Sequence, residues 1–182
     1  IAVNGWQRQR RTHHAVAALH ELAKPTVAAV NGAAAGLGCD IALCCDFIVA
    51  SDKYASFVMS YVMRGLIPDG GGLYFLPRRV GLQRAKEMIF SARKVDAAEA
   101  LEIGLADQLA EPDQLIDAAV DLAPRMTVGS PDAVALSKTI LDQTFELSSE
   151  QVFALGAQAQ AIAYTTDQHR QAVDDFLNKR SK

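Results

Sequence analysis

The chain has 182 residues, half of them hydrophobic and 21% charged, with a net charge of −3. That length suits one domain with a small appendage and can bury a core, and the composition excludes a disordered chain. The charge balance excludes a basic nucleic-acid surface, and no apolar run reaches the roughly eighteen residues of a membrane-spanning helix.

The first residues, Ile1 to Trp6 followed by Gln7-Arg8-Gln9-Arg10-Arg11, are no signal peptide, because no long apolar region follows the basic ones. Ala15, Val16, Ala18, Leu19 and Leu22 recur at helical spacing and predict a helix over 7–23, ended by Pro25. His13, His14 and His20 fall on its exposed side. Thr26 to Val30 is short, uncharged and partly β-branched, as a buried strand should be. Asn31-Gly32 turns the chain, 33–38 is a loop of small residues, and 39–45 is a buried helix. Further strands are predicted at 47–50, 55–57 and 105–109.

Gly65 to Gly72 is the most loop-like stretch. An amphipathic segment follows at 73–80, broken at Pro77. Helices are predicted at 82–92, 96–103, 112–125 and 131–144, and a last helical run at 149–180 breaks near 165–167. Strands with helical crossovers come first and helices later. The pattern is an α/β core over 1–127 followed by a helical region over 128–182.

Cys39, Cys44 and Cys45 crowd into seven positions. They form neither a disulfide framework nor a zinc pattern, and His13, His14, His20 and His169 supply no metal motif. The cysteines read as small buried residues in a reducing cytoplasm.

Two segments could carry chemistry. In the first, small residues after the strand at 26–30 let a ligand approach the backbone. The opening turn of the next helix leaves N–H groups unpaired and partly positive, which suits an oxyanion. A tight strand-to-helix connection would need the same small residues. Gly32, Gly36 and Gly38 match neither a dinucleotide fingerprint nor a phosphate-binding loop.

The second segment centres on Asp69, between Pro68 and three glycines, with Leu66, Ile67, Leu73, Tyr74 and Phe75 around it. A carboxylate in apolar surroundings can have a raised pKa and act as acid or base. It could equally cap the helix that begins near Gly72.

Lys24-Pro25-Thr26-Val27-Ala28-Ala29-Val30-Asn31-Gly32-Ala33-Ala34-Ala35-Gly36-Leu37-Gly38-Cys39-Asp40, with Cys45-Asp46, closely resembles the signature of the crotonase (enoyl-CoA hydratase/isomerase) family. Gly65-Leu66-Ile67-Pro68-Asp69-Gly70-Gly71, Leu76-Pro77-Arg78, Ala97 to Ala100, Ile103-Gly104-Leu105, Ser130-Pro131 and Phe176 to Arg180 continue the resemblance in register. It implies a crotonase-like ββα spiral with a C-terminal helical region that drives trimer formation. It also implies that the first strands and one oxyanion-hole peptide belong to a segment before Ile1.

The resemblance implies an acyl-CoA thioester as substrate, with coenzyme A part of the substrate and no separate cofactor or metal. Two backbone N–H groups would hold an enolate oxygen. Leu37 would supply the second, flanked by Gly36 and Gly38, where many members have Gly. Ala33, Ala35, Pro68 and Gly70 would also border the substrate. Hydratases in the family use two glutamates. Their positions fall on Asp40, a shorter acid, and on Tyr61, which is no carboxylate, so that arrangement is incomplete. Asp40 reads either as a helix-stabilising acid or as a catalytic group, and Tyr61 as pocket lining or packing. Isomerases manage with one carboxylate that carries a proton from C2 to C4, and Asp69 sits where they carry it. The reading is an enoyl-CoA isomerase. Hydratase, dehalogenase, thioester hydrolase or a non-catalytic thioester binder are the alternatives. Apolar residues of the last helices, Val152, Phe153, Leu155, Ala159, Ile162 and Ala163, would pack in a homotrimer or a dimer of trimers, with no nucleic-acid or membrane partner. Lys179, Arg180 and Lys182 read as a solvated tail or a contact to the nucleotide of coenzyme A.

Overall fold

In a computed structural model that describes residues 2–180, helix α1 (Ala2–His20) leads into β1 (Val27–Val30), and a bend at Gly32 sends the chain into β2 (Ala33–Ala35). Helix α2 (Leu37–Leu43) then carries it back to β3 (Phe47–Ser51) and β4 (Ser56–Val58). β3 lies parallel on β1, with Val27 opposite Phe47, and β4 lies parallel on β2, with Ala33 opposite Ser56. The second strand–strand unit is thus laid beside the first, one turn of a spiral. A 3-10 turn (Val62–Arg64) precedes α3 (Gly72–Val80), α4 (Leu82–Ser91), the short β5 (Val95–Asp96), α5 (Ala97–Glu102), β6 (Gln108–Ala110) and α6 (Leu115–Met126). β6 extends the first sheet to the order β1-β3-β6, and β5 pairs antiparallel on β4 to give β2-β4-β5.

The core follows from strand composition. Ile48, Val49, Ala50 and Phe57 have no exposed surface, nor do Met59, Leu76 and Leu105 from the segments around them. Burying each large side chain contributes about 1.5–3 kcal/mol. A second cluster, Val49 with Leu115, Ala119 and Leu122, seats α6 on the other face of β3.

Polar groups pin the ends of these strands. Thr26 and Asp46 exchange hydrogen bonds: the Thr26 N–H and hydroxyl donate to Asp46 Oδ2 at 2.7 and 2.9 Å, and the Asp46 N–H donates back at 3.0 Å. Arg79 of α3 donates to the carbonyls of Cys45, Asp46 and Leu105 and to Asp107 Oδ2. Asp107 also accepts from the Ile48 N–H at 2.6 Å. One guanidinium therefore ties the start of β3 to the approach of β6.

The chain divides into two compact units. One holds the described residues through Leu22 with Thr26–Ala123, and the other holds Ala23–Pro25 with the described residues from Pro124 onward. The second contains α7 (Pro131–Leu141), α8 (Ser149–Ala163) and α9 (Asp167–Arg180). Ser130 caps α7, and a reciprocal Ser148–Gln151 pair caps α8, which fixes where each helix starts. No helix among the described residues is long and apolar enough to cross a membrane.

Several sequence expectations shift. The first helix begins at Ala2 rather than 7 and stops at His20. The loop of small residues at 33–38 contains β2, because three alanines fit a parallel edge beside β4. Pro77 does not break α3. In so short a helix proline removes only one i→i−4 bond. Val95–Asp96 is a strand of two residues, too short to show periodicity. The Lys182 reading and the Lys179 and Arg180 side chains lie outside the described residues.

Arg79→Met should lower stability by about 3 kcal/mol, since it strands three carbonyls and Asp107 without their cation. Urea denaturation measures this. A loss below about 1 kcal/mol would mean that the clamp is dispensable.

Candidate active site

Leu37, Tyr61, Leu66, Ile67 and Asp69 line one open cleft of about 430 Å³, together with Arg8, Gln9 and Thr12 of α1. Gly36 enters α2 at φ 54°, ψ −122°, a left-handed turn that favours glycine. The helix ladder opens with Asp40 N–H to Gly36 O at 3.0 Å, so the Leu37 amide precedes the first intrahelical bond. The Leu37 side chain is 39% exposed and forms cleft wall.

Asp69 follows the buried Pro68 and is half-buried. It caps no helix. The N-cap of α3 is Gly71, with no side-chain cap bond. The capping alternative is thereby removed, and the carboxylate remains part of the cleft wall.

Asp40 sits differently. It has no exposed surface, and it is absent from the cleft wall. Its Oδ2 accepts a hydrogen bond from the Tyr61 hydroxyl at 2.5 Å, and its Oδ1 has no hydrogen-bond partner. Glycine permits this. A Cβ on Gly70 would stand 2.5 Å from Asp40 Oδ2 and 2.6 Å from Leu37 Cδ1. Desolvation by burial pushes the Asp40 carboxyl up from 3.8 to about 6. The Tyr61 hydroxyl and the Gly70 and Gly72 amides oppose the rise, and the Asp69 charge adds to it. Tyr61 is pushed upward in turn, by burial and by the adjacent Asp40. Cys39, also fully buried, is pushed up to about 12 by burial and by the Asp40 charge.

Of the residues singled out in the sequence, Leu37, Tyr61 and Asp69 meet in the cleft, and Asp40 reaches it only through Tyr61. Asp40 stands in the first turn of α2, where an acid suits the helix dipole, but with no exposed surface. Asp40 is not on the cleft wall itself. Ala33 and Ala35 pair with β4, and Gly36, Gly38, Pro68 and Gly70 shape the two backbones rather than the wall. Arg8 and Thr12 were missed. Their i,i+4 spacing puts them on one helix face, a signal that points to no particular ligand. His13 and His14 are exposed, whereas His20 is half-buried with its ring 4.9 Å from that of Phe75. Cys39 and Cys44 are buried and Cys45 half-buried. Among the described residues no three His, Cys, Asp or Glu side chains converge to hold a metal.

A family model described as enoyl-CoA hydratase/isomerase matches residues 7–182. The chain belongs to that family. The short-chain-enoyl-CoA hydratase of Clostridium acetobutylicum is 37% identical over 162 residues, 89% of this chain and 62% of that protein. The crotonyl-CoA hydratase of Syntrophomonas wolfei is 33% identical, with the same coverage of each chain. A crystal structure of an enoyl-CoA hydratase/isomerase from Cupriavidus metallidurans superposes with a TM-score of 0.90 at 38% identity, covering 97% of this chain and 66% of the other. The enoyl-CoA hydratase of Bacillus anthracis gives 0.91 at 27% identity, covering 98% and 69%. The fold is therefore the crotonase fold of this family, and the chain spans about three-fifths of the length of these curated relatives.

The Asp40 environment sets a pH dependence. The carboxyl binds its proton more tightly folded than unfolded, so its contribution to stability is full below about pH 4 and is lost as pH rises through about 6. Two pKa units correspond to about 3 kcal/mol. Asp40→Asn removes the titration. The variant should be the more stable form at about pH 8, and the gap should close towards about pH 4. Urea melts at both pH values measure it, and an unchanged gap would show that the carboxyl is not desolvated.

Proposed function

We propose that the protein is an enoyl-CoA isomerase acting on an acyl-CoA thioester, with Asp69 as the base that removes a proton from C2. The observation that carries this reading is one cleft shared by the uncapped Asp69 carboxylate and the Leu37 wall at the start of α2. The Leu37 amide supplies one donor for the thioester oxygen. Charge that develops there during deprotonation is stabilised, which makes the C2 proton removable by a carboxylate. The exposed apolar side chains of Leu66 and Ile67 beside Asp69 suit an acyl chain. A proton is then delivered to C4 of the dienolate. Coenzyme A enters as part of the substrate, and the chemistry needs no separate cofactor or metal. Three free cysteines suit a reducing cytoplasm.

Hydration is the second reading, favoured by the names of the two relatives above. Against it, Asp40 and Tyr61 meet as one acid and one phenol, and the acid has no exposed surface. Assembly as a homotrimer or a dimer of trimers is part of the proposal. Phe153 and Ile162 of α8 are 75% and 54% exposed, and α8 has no buried residue. Exposed apolar side chains of this size suit burial against a second copy.

Asp69→Asn keeps the side-chain size and should lower conversion of a 3-enoyl-CoA to its 2-enoyl isomer by about 10²–10⁴-fold. Chromatography of the products also separates the two readings. A variant that isomerises at the parent rate would end the assignment, and 3-hydroxyacyl-CoA as the main product of a 2-enoyl substrate would favour hydration. Light scattering on the full-length protein should return a trimer or hexamer mass, and a monomer at micromolar concentration would reject the assembly.

A further inference from the structure

The cleft wall holds a second group able to handle a proton. Tyr61 lines it, and its hydroxyl is 2.5 Å from Asp40 Oδ2. Asp40 has no exposed surface, and its Oδ1 makes no well-formed hydrogen bond, with only the Gly70 and Gly72 amides beside the carboxylate. No ion pair reaches Asp40 among the described residues. A carboxylate kept only for structure would be expected to have its lone pairs filled. Here the glycine loop closes on Asp40 so tightly that a Cβ on Gly70 or Gly72 would collide with its carboxylate oxygens.

We propose that Tyr61 and Asp40 form a proton relay into the cleft: Asp69 takes the proton from C2, and Tyr61 delivers a different proton to C4, replaced at once from Asp40. This rests on the reading of the cleft as an enoyl-thioester site. The C2–H bond breaks, its proton bonds to an Asp69 oxygen, and its electron pair enters the dienolate. The Tyr61 hydroxyl, which donates to Asp40 Oδ2 at rest, first turns its O–H to C4 and accepts from the protonated Asp40 carboxyl. Its O–H bond then breaks as C4 takes that proton, while its oxygen takes the Asp40 proton. Asp69 ends neutral and Asp40 ionised, and solvent restores both by taking the proton from Asp69 and giving one to Asp40. No oxidant or co-reactant is needed.

The coupling solves a difficulty that a lone tyrosine would face. Burial and the neighbouring Asp40 push Tyr61 upward, so a free phenolate is unfavourable. When Asp40 supplies its proton in the same step, no phenolate forms. Asp40 must be neutral at the start, and desolvation, which raises its carboxyl from 3.8 to about 6, enlarges the fraction of protein in that form. The titratable groups facing Asp40 are Tyr61 after β4, Asp69 before α3, and Cys39 and Cys44 on or next to α2. Asp69 and Tyr61 touch the reacting chain in this scheme. Asp40, with no exposed surface, acts through Tyr61.

The test uses the full-length protein and trans-3-hexenoyl-CoA, with C2 hydrogen–deuterium exchange of butyryl-CoA in heavy water as a second readout. In unmodified protein, substrate deuterated at C2 should give product whose new C4 hydrogen comes from solvent. Deuterium carried from C2 to C4 would overturn the relay and leave the single-base isomerase standing. Tyr61→Phe should lose about 10²-fold in isomerisation yet keep C2 exchange within about threefold. Asp40→Asn should show the same split, and the double variant should be no worse than either single one. The parent rate should fall as pH rises through about 6, and Asp40→Asn should lack that fall. Multiplying losses, or isomerisation within about threefold of the parent in both single variants, would reject the relay. C2 exchange that survives Asp69→Asn would instead defeat the isomerase reading beneath it.

Discussion

A carboxylate without exposed surface is the constraint around which the candidate site is arranged. Asp40 enters the interior in the first turn of α2, where the strand-to-helix turn at Gly36 aims it inward. To admit it, the loop before α3 must surrender its side chains at Gly70 and Gly72. That approach brings the Asp69 loop against Leu37, whose Cδ1 would meet any Cβ on Gly70. The position of Asp69 in the cleft therefore depends on a residue three positions after Leu37 that never reaches the cleft itself. Destabilisation of ionised Asp40 at neutral pH is the kind of strain that clusters at functional sites.

The frame that tolerates this strain lies at the strand ends. The Thr26–Asp46 exchange and the Arg79 clamp close backbone groups at the strand ends, so that β1, β3 and β6 stay in register. Arg79 leaves the same helix, α3, whose first turn closes on Asp40. One helix thus connects the clamp to the site, and the Phe57–Met59–Leu76 core lies between them.

Much of this was legible in the sequence, and for physical reasons. β1 and β3 announce themselves as short uncharged runs, and the break at 165–167 separates α8 from α9 as expected. Asp69 stood out because a carboxylate among apolar residues and glycines is uncommon. Motif resemblance brought Leu37, Tyr61 and Asp40 together before any coordinates did. What stayed hidden was three-dimensional. Nothing in the order of residues says that Gly71, not Asp69, precedes the helix proper, or that Asp40 turns inward rather than to solvent. β2 was invisible because three alanines carry no alternation, and β5 because two residues carry no period. The α1 wall of the cleft was invisible because Arg8 and Thr12 look like any solvated helix face.

Positional correspondence and chemical role part company at Asp40 and Tyr61. The resemblance sets these residues where hydratases hold two acids, and the structure does bring them within 2.5 Å. Their chemistry differs from that of two acids. Two carboxylates facing one space would repel each other and each could hold a water, whereas a phenol and a carboxyl attract each other through a direct hydrogen bond. Only the phenol reaches the cleft. An acid that is fully buried can serve a reaction solely through the group it touches, so any role for Asp40 is bounded by what the Tyr61 hydroxyl can pass on. The same geometry leaves Asp69 as the only carboxylate on the wall of that cleft among the described residues, which is why base chemistry there converges on a single side chain.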